Sequence, residues 1–282
     1  MTQGRLLAVS DLHVSYAQNR HLIERLQPTT DADMLLVAGD IGERVDDIKH
    51  ILQTLADRFA AVTWAPGNHE LWTHPDDPVQ LRGADRYDHL VEFCRGIGVT
   101  TPEDRYPVWE GPDGPVRIVP MLVLYDYSFR PSRLSKDTWL AQAYEEGVVC
   151  TDEFFLHPDP YPSREAWCHA RVAYTEERLA ALDDEMPTVL VNHFPLIREL
   201  TDALYHQTFA QWCGTNLTAD WHRRFGAVAV VYGHLHIPRV TYHDGVRFEE
   251  VSIGYPREWE RRGLPQEMLR DVRPVVAKGP KC

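Results

Sequence analysis

The sequence predicts an α/β fold in which strands and helices alternate along the chain and pack in layers. Short apolar runs of the kind that form buried strands recur through the 282 residues, and helical patterns separate several of them. No internal repeat or low-complexity linker interrupts this order. The predicted strands span residues 6–9, 34–38, 61–64, 116–124, 189–191 and 227–232.

Apolar side chains at helical spacing predict the intervening helices. One such stripe follows the second predicted strand, and another follows the third. Ser163 is a residue type that caps helices, and the segment after it predicts a long helix ending near residue 184. Asp244-Gly245 lies between two short apolar runs and predicts a hairpin. The two stripes are Ile48, Ile51, Leu52, Leu55 and Phe59, and Tyr87, Leu90, Val91, Cys94 and Ile97.

The length permits one large domain or two small ones, since domains average about 150 residues. We expect a single domain over residues 1–270, because the alternation runs through them with one interruption. That interruption, residues 126–165, is rich in Pro, Tyr, Asp and Phe, and we expect it to be a cap or loop insertion beside a binding site. A plain surface excursion is the alternative. Residues 271–282 have little pattern, so we expect a loosely ordered tail.

The charge and cysteine content restrict the partners and the compartment. The chain has 29 Lys and Arg against 42 Asp and Glu, and the net charge of −13 opposes long nucleic acid and anionic membranes as partners. No apolar run is long enough for a secretory leader or a membrane-spanning helix. The five cysteines are scattered without a C-x-x-C pair, as free thiols in a reducing cytoplasm are. We therefore expect a cytoplasmic protein.

Metal-ligating side chains follow five of the predicted strands directly. Because ligands collect at the carboxyl ends of strands in α/β sheets, we expect these five strand ends to converge on one site. Imidazole, carboxylate and amide groups together suit a pair of divalent ions about 3.5–4 Å apart. Glycines 39, 67 and 233 would allow sharp turns there. The motifs are Asp11-Leu12-His13, Gly39-Asp40, Gly67-Asn68-His69-Glu70, Asn192-His193 and Gly233-His234-Leu235-His236.

In this order, the five motifs resemble the calcineurin-like metallophosphoesterase superfamily over roughly residues 5–240. The resemblance implies a four-layer α/β/β/α sandwich with a small cap-like insertion. It also implies a binuclear metal centre that hydrolyses a phosphoester with a hydroxide shared by both ions. We expect two divalent ions, manganese first, with iron, zinc or cobalt as alternatives, because the mixed ligands accept several first-row metals.

The resemblance also implies a role for each motif residue. Asp40 would bridge the two metals, and His69 would be the catalytic imidazole beside the scissile phosphate. Glu43 and Glu70 would orient imidazoles or the His69 loop without binding a metal; solvated carboxylates are the alternative. The remaining ligands would be Asp11, His13 and His236 for the first metal, and Asn68, His193 and His234 for the second.

At two positions this sequence departs from the patterns of known subfamilies, and these departures restrict the class of phosphoester that we expect as substrate. Purple acid phosphatases have a tyrosine where this chain has Glu43, so a tyrosinate-iron site is not expected. Protein serine/threonine phosphatases have a phosphate-gripping arginine where this chain has Pro66. We therefore expect a phosphodiesterase. A phosphomonoesterase for nucleotides or other small phosphates, and a catalytically silent binding scaffold, are the alternatives.

Three segments look like a narrower actinobacterial cytoplasmic group, which includes hydrolases that remove 4′-phosphopantetheine from carrier proteins. They are residues 10–16, 64–72 and 125–131. This likeness implies a small-molecule or carrier-protein-linked phosphoester as the partner. Candidate substrate-lining residues are Tyr16, Trp72, Tyr125, Tyr127 and Arg130. Arginines of the insertion and the helix after it would form a docking patch, with scattered surface arginines as the alternative: Arg130, Arg133, Arg164 and Arg171.

Overall fold

The computed structural model describes residues 4–274, which form two β-sheets with helices outside them. The strands are β1 (Leu6–Val9), β2 (Met34–Val37), β3 (Ala61–Trp64), β4 (Val108–Gly111), β5 (Gly114–Pro120), β6 (Thr188–Val191), β7 (Ala227–Tyr232), β8 (Arg239–His243), β9 (Val246–Glu250) and β10 (Arg270–Asp271). The α-helices are α1 (Ala17–Arg20), α2 (Val45–Ala56), α3 (Asn68–Leu71), α4 (Gly83–Gly96), α5 (Lys136–Glu145), α6 (Asp152–Phe155), α7 (Arg164–Ala180), α8 (Trp221–Arg224) and α9 (Pro256–Arg262). Short 3₁₀ helices span His21–Arg25, Arg198–Ala203, Gln207–Trp212 and Asn216–Thr218.

The first sheet has the order β10-β1-β2-β3, and the second has the order β4-β5-β6-β7-β9-β8. Strands β1 to β3 pair in parallel, as do β5, β6, β7 and β9, whereas β4, β8 and β10 pair antiparallel at the edges. All six predicted strands are present, although β5 ends at Pro120 rather than at residue 124. The predicted hairpin at Asp244-Gly245 joins β8 to β9.

The two sheets pack face to face, and alternate side chains of each strand point into the space between them. Leu6 and Ala8 of β1 join a cluster of buried residues shared by both sheets, with Ile118 and Val189 on the opposite side. Leu7 belongs instead to the outer core, where helices cover the sheets. Successive strand residues point to opposite faces, so each sheet buries both of its faces. The result is the expected four-layer α/β/β/α sandwich.

The outer helices form where apolar stripes meet the sheets. Buried residues of α2 include Ile48, Ile51 and Leu55, and the second predicted stripe lies on α4. The last residue of each stripe, Phe59 or Ile97, lies just beyond its helix. Ser163 caps α7, since its side chain accepts a hydrogen bond from the Ala166 backbone N–H over 3.1 Å. The helix ends at Ala180, before the predicted end near residue 184.

Residues 126–165 contain α5 and α6, and a partly buried network around Glu153 ties them to Trp212 in the body of the domain. Glu153 accepts hydrogen bonds from Tyr127 Oη (2.7 Å), Trp212 Nε1 (2.8 Å) and Arg164 Nη1 (3.0 Å). Arg171 bonds Glu103 over 2.6 Å. Of the arginines considered for a docking patch, Arg164 and Arg171 are thus each paired with a carboxylate of this chain.

The C-terminal segment returns to the first sheet. Strand β10 pairs with β1, and the Val272 backbone N–H donates to the Leu6 carbonyl over 2.8 Å. The predicted tail boundary at residue 270 thus falls within a strand, and residues 275–282 of that tail lie outside the described residues. In residues 4–274, no helix is long and apolar enough to cross a bilayer.

Candidate metal centre

The five motifs meet where the two sheets come together at their carboxyl ends. Ser10 bridges to Ser252 just past β1 and β9, which joins the sheets at this edge. The chain turns sharply as soon as each motif leaves its strand. Non-glycine residues with left-handed backbone are uncommon, yet several predicted ligands adopt this conformation. They are Asp11 (φ 55°), His13 (42°), Asp40 (55°), His234 (69°) and His236 (55°).

The glycines of the motifs are needed for different reasons. Only Gly39 of the three has a left-handed φ, 82°, and a Cβ there would lie 2.7 Å from the Cα of Gly67. A Cβ on Gly67 would lie 2.7 Å from the Asp40 backbone nitrogen, and one on Gly233 would lie 2.9 Å from the Ser10 Cβ. Gly67 and Gly233 are therefore required because the motif loops approach each other closely. The turn geometry that we expected to require all three glycines does not explain these two.

Asp11, His13 and His236 form the first cluster of candidate ligand atoms. His236 Nε2 lies 2.9 Å from Asp11 Oδ1 and 3.1 Å from His13 Nε2. The other ring nitrogen of His236 lies 2.7 Å from Glu258 Oε2. This carboxylate fixes the ring, so that Nε2 of His236 faces the other two residues.

Asp40, His193 and His234 form the second cluster, and Asn68 adjoins it. His193 Nε2 lies 3.3 Å from Asp40 Oδ2 and 3.1 Å from Asn68 Oδ1. Its Nδ1 donates to the Ala38 carbonyl over 2.8 Å, so its Nε2 presents a lone pair to these oxygens in the neutral form. Asp40 Oδ2 also lies 4.0 Å from His13 Nε2 and thus stands between the clusters.

The donor set fits divalent cations. His193 Nε2, Asn68 Oδ1 and Asp40 Oδ2 converge on one point. Burial alone would lower the pKa of His193, but the charges of Asp40 and Asp11 outweigh burial and raise it to about 10, so a positive charge is favoured at this point, and a divalent cation held by the three atoms would take the place of the proton on Nε2. Within residues 4–274, the buried Nε2 of His234 has no hydrogen-bond partner. Burial lowers the pKa of His13 and of His234 to about 3, which keeps both imidazoles in the neutral, metal-binding form.

His69 differs from the other site histidines in its partners. Its Nδ1 lies 2.8 Å from Glu43 Oε1, and its Nε2 faces the clusters, 3.7 Å from Asp40 Oδ2. Burial alone would lower the pKa of His69, but the charge of Asp40 and the hydrogen bond to Glu43 outweigh burial and raise this pKa. Glu43 also accepts a hydrogen bond from Ser15. Glu43 and Asp40 therefore favour the protonated form of His69, and its Nε2 points into the site.

Glu70 fastens the motif loops to each other. Its buried carboxylate accepts backbone hydrogen bonds from Gly67 (2.9 Å), Asp40 (2.9 Å) and Ile41 (2.8 Å). Burial and the nearby charge of Asp40 raise the pKa of Glu70 to about 7. Glu70 thus lies under the His69 loop and contacts backbone, not the imidazoles.

Arg86 supports the same loops, and the motif analysis did not single it out. Its buried guanidinium donates to the carbonyls of Glu70 and Glu43, both over 2.7 Å, and bonds Asp77 over 2.9 Å. Arg86 lies on α4 without a motif around it, so no spacing signal distinguishes it from a surface arginine.

Asp152, from α6 within the insertion, is a second site residue that the sequence analysis missed. Its buried Oδ1 accepts hydrogen bonds from Asn68 Nδ2 over 2.8 Å and from Trp72 Nε1 over 2.6 Å. The first bond turns Asn68 Oδ1 toward His193. The Pro- and aromatic-rich composition of residues 126–165 indicated an insertion near the site, but no residue spacing indicated this carboxylate.

The candidate substrate-lining residues occupy different positions. Trp72 stacks on His69 with ring centroids 3.7 Å apart, and the half-exposed Tyr16 lies against Tyr255, 5.4 Å between centroids. Tyr125 and Tyr127 are buried behind the second cluster, where Tyr125 packs on Phe194. Arg130 donates to the carbonyls of Tyr127 (2.8 Å) and Leu134 (3.0 Å). Trp72 and Tyr16 are the two that lie at the mouth of the site.

Comparison with known proteins gives consistent matches. A sequence profile described as calcineurin-like phosphoesterase matches residues 4–238. The acyl-carrier-protein phosphodiesterase PptH of Mycobacterium tuberculosis is 57% identical over 270 residues, covering 95% of this chain and 83% of that protein. The crystal structure of the phosphopantetheinyl hydrolase PptH from Mycobacterium tuberculosis superposes with a TM-score of 0.94 at 55% identity, covering 99% of both chains.

Proposed function

Because the chain belongs to the calcineurin-like phosphoesterase family, we propose that it cleaves the phosphodiester between 4′-phosphopantetheine and an acyl carrier protein. The observation that carries this proposal is the 57% identity to a carrier-protein phosphodiesterase over 95% of the chain. The match includes the insertion at residues 126–165 as well as the metal-site motifs. We therefore extend to this chain the substrate named for that relative.

We assign the ligands by the two clusters. Asp11, His13 and His236 would bind one divalent ion, and Asp40 would contact both. Such ions, when bound, polarise the phosphoryl oxygens and lower the pKa of a water molecule. The second ion would be held by Asn68, His193 and His234, with manganese the first choice and iron, zinc or cobalt as alternatives.

His69 supplies the acid for the leaving group. Cleavage adds the water oxygen to phosphorus and breaks the bond between phosphorus and the serine oxygen of the carrier protein. The departing serine oxygen takes a proton from Nε2 of protonated His69, and the proton that the attacking water releases restores the protonated imidazole. Glu43 holds the opposite ring nitrogen 2.8 Å away and so keeps Nε2 directed at the leaving oxygen. The products are 4′-phosphopantetheine and a carrier protein with a free serine.

The loop before His69 favours a diester over a monoester. Pro66 places no cation beside the phosphate, and a monoester carries one more negative charge than a diester. A phosphomonoesterase acting on nucleotides or other small phosphates remains the second candidate, supported by the same metal-site motifs. The ratio of phosphodiester to phosphomonoester hydrolysis distinguishes the two candidate functions.

A chromogenic assay tests this proposal. We expect the protein with Mn²⁺ to cleave bis-p-nitrophenyl phosphate faster than p-nitrophenyl phosphate, and we expect Asp40→Asn and His69→Asn to abolish most of this activity. Preference for the monoester would favour the second candidate. Metal binding without hydrolysis of either ester would count against both and favour a binding scaffold.

We propose that residues 126–165 belong to the catalytic domain and form one wall of its site. Asp152 and Phe155 of this segment contact Trp72, which stacks on His69.

A cytoplasmic location is also proposed, because Cys94, Cys150, Cys168 and Cys213 are buried free thiols, which suits a reducing compartment. Fractionation of cells that express the protein tests the location.

A further inference from the structure

A cleft of about 290 Å³ opens beside His69, and two of the residues that line it, Glu43 and Trp72, contact the His69 ring. We call it the aromatic cleft, and the residues that line it are Ser15, Tyr16, Glu43, Trp72, His74, Thr151 and Phe155. Its volume is at the lower end of the range for small-ligand pockets. Glu43 and Trp72 both contact His69, so a group bound in this cleft lies next to the imidazole that faces the phosphoryl group.

Backbone pairing holds the walls of the aromatic cleft in place. The Thr73 N–H donates to the Phe155 carbonyl over 2.9 Å, and Trp72 bridges to Leu156. Phe155 packs edge-on against Trp72 (5.9 Å between centroids) and against His74 (5.3 Å). Backbone pairing therefore fixes the Phe155 side of the cleft to the segment that follows the His69 loop.

The charges around the aromatic cleft select an uncharged occupant. Glu43 is its one carboxylate, and neither lysine nor arginine is among the described residues that line it. A second phosphate in the cleft would meet this carboxylate without a cationic partner. Aromatic walls instead favour aliphatic groups, while Thr151 and His74 offer polar atoms to amides.

We propose that the aromatic cleft binds the pantetheine arm of the substrate, an uncharged chain of aliphatic and amide groups. This inference rests on the proposed function. The branched carbons next to the phosphate would pack on Trp72, and the amides would extend along Phe155 toward His74. Arms that carry further phosphates, as in nucleotide diphosphates, are excluded by the same charges.

Two neighbouring phenylalanines provide a matched pair of variants. Phe155 lines the aromatic cleft, whereas Phe154 is 60% exposed and lies outside it. The experiment compares Phe155→Ala and Phe154→Ala on two diesters with the same leaving group. One is the p-nitrophenyl diester of 4′-phosphopantetheine, and the other is methyl p-nitrophenyl phosphate, which lacks the arm. Phe155→Leu is included as a variant that keeps apolar volume if Phe155→Ala fails to fold.

We expect Phe155→Ala to raise KM for the pantetheine diester about tenfold, as loss of one well-placed apolar contact does. Its loss of kcat/KM on the methyl diester should be several-fold smaller than its loss on the pantetheine diester, and the exposed control Phe154→Ala should resemble wild type on both. Phe155→Leu should give a smaller rise in KM for the pantetheine diester. Calorimetric titration with 4′-phosphopantetheine should show the same order of affinities without turnover.

Equal losses on both substrates, or no loss on the pantetheine diester, would overturn the assignment of the arm to this cleft. A wild-type protein that cleaves the methyl diester as efficiently as the pantetheine diester would overturn it as well. Failure of the wild-type protein to act on a holo-carrier protein is a separate result, and it would overturn the proposed function.

Discussion

The carboxylate of Asp152 accepts a hydrogen bond from the side-chain amide of Asn68 over 2.8 Å and thereby sets which face of that amide meets the site. Since Nδ2 of Asn68 is committed to Asp152, Oδ1 is left to face His193, 3.1 Å away. The same Asp152 oxygen holds Trp72, which stacks on His69. The insertion thus orients a proposed metal ligand and the aromatic partner of the proposed acid.

This relationship predicts the effect of changing Asp152. Asp152→Ala should weaken binding of the metal at Asn68 by about 10–100-fold, because partners of metal ligands contribute at this scale. Asp152→Asn keeps an oxygen that can accept both hydrogen bonds, so it should lose much less. Chelator competition with Mn²⁺ measures the affinity for each variant. Equal losses in the two variants would argue for general destabilisation of α6 instead of a positioning role.

Glu43 should affect catalysis through His69, by holding its ring in position. His69→Asn should lower kcat by about 10²–10⁴-fold, the usual contribution of a general acid, with metal content unchanged. Glu43→Gln should lower kcat less, because it weakens the orientation of the ring without removing the proton donor. Steady-state kinetics together with metal analysis of each variant measures both effects. A Glu43→Gln protein with wild-type kcat would show that Glu43 does not position His69.

Arg86→Leu should destabilise the fold by about 3–5 kcal/mol, since the change leaves Asp77 as an unpaired buried charge and three carbonyls without their donor. Chemical unfolding monitored by tryptophan fluorescence measures the change. The double variant Arg86→Leu with Asp77→Leu should recover part of the loss, because no buried charge is then left without its partner. An exposed control, Arg133→Leu, should change the free energy of unfolding by less than about 0.5 kcal/mol.

The carboxylate of Asp33 should account for part of the decrease in the free energy of unfolding at acidic pH. Burial alone would raise its pKa, but hydrogen bonds from the Arg5 backbone and from Thr29 and Thr30 outweigh burial and lower this pKa below its usual value. Because the folded pKa is depressed, the stabilisation is complete above the unfolded pKa of about 4 and is lost as pH falls through the folded pKa.

Replacing Asp33 by Asn should therefore cost about 1–3 kcal/mol near pH 7, from buried donors that lose their acceptor. The difference between wild type and variant should shrink as pH falls below about 4. Urea unfolding across this range measures it. A difference that stays constant with pH would show that the Asp33 charge does not contribute.

Much of the fold could be predicted because the central strands are continuous apolar runs. Leu6–Val9 and Ala61–Trp64 have the predicted bounds, since both faces of their sheets are buried. The edge strands gave no such signal: Val108–Gly111 alternates between exposed and half-buried residues, and β10 has only two residues. Beyond Pro120, residues 121–124 are as apolar as a strand but form the buried loop that reaches the insertion.

The candidate ligands could be predicted because each one follows a strand within a few residues. Glu258, Arg86 and Asp152 could not, because each reaches the site from a helix outside the motifs, and no residue spacing indicates its contacts. The three glycines illustrate the same limit. Their presence was expected from turn geometry, whereas Gly67 and Gly233 are required by contacts between separate loops, which a sequence pattern does not contain.

Release of 4′-phosphopantetheine from a holo-acyl carrier protein tests the central claim most directly. The metal-loaded protein should convert the holo-carrier to the apo form, seen as a mass loss of one phosphopantetheinyl group, and the carrier serine should be free. Asp40→Asn, which removes the carboxylate between the two clusters, should not do so. A metal-loaded wild-type protein that leaves the holo-carrier intact while it hydrolyses small phosphate monoesters would contradict the account.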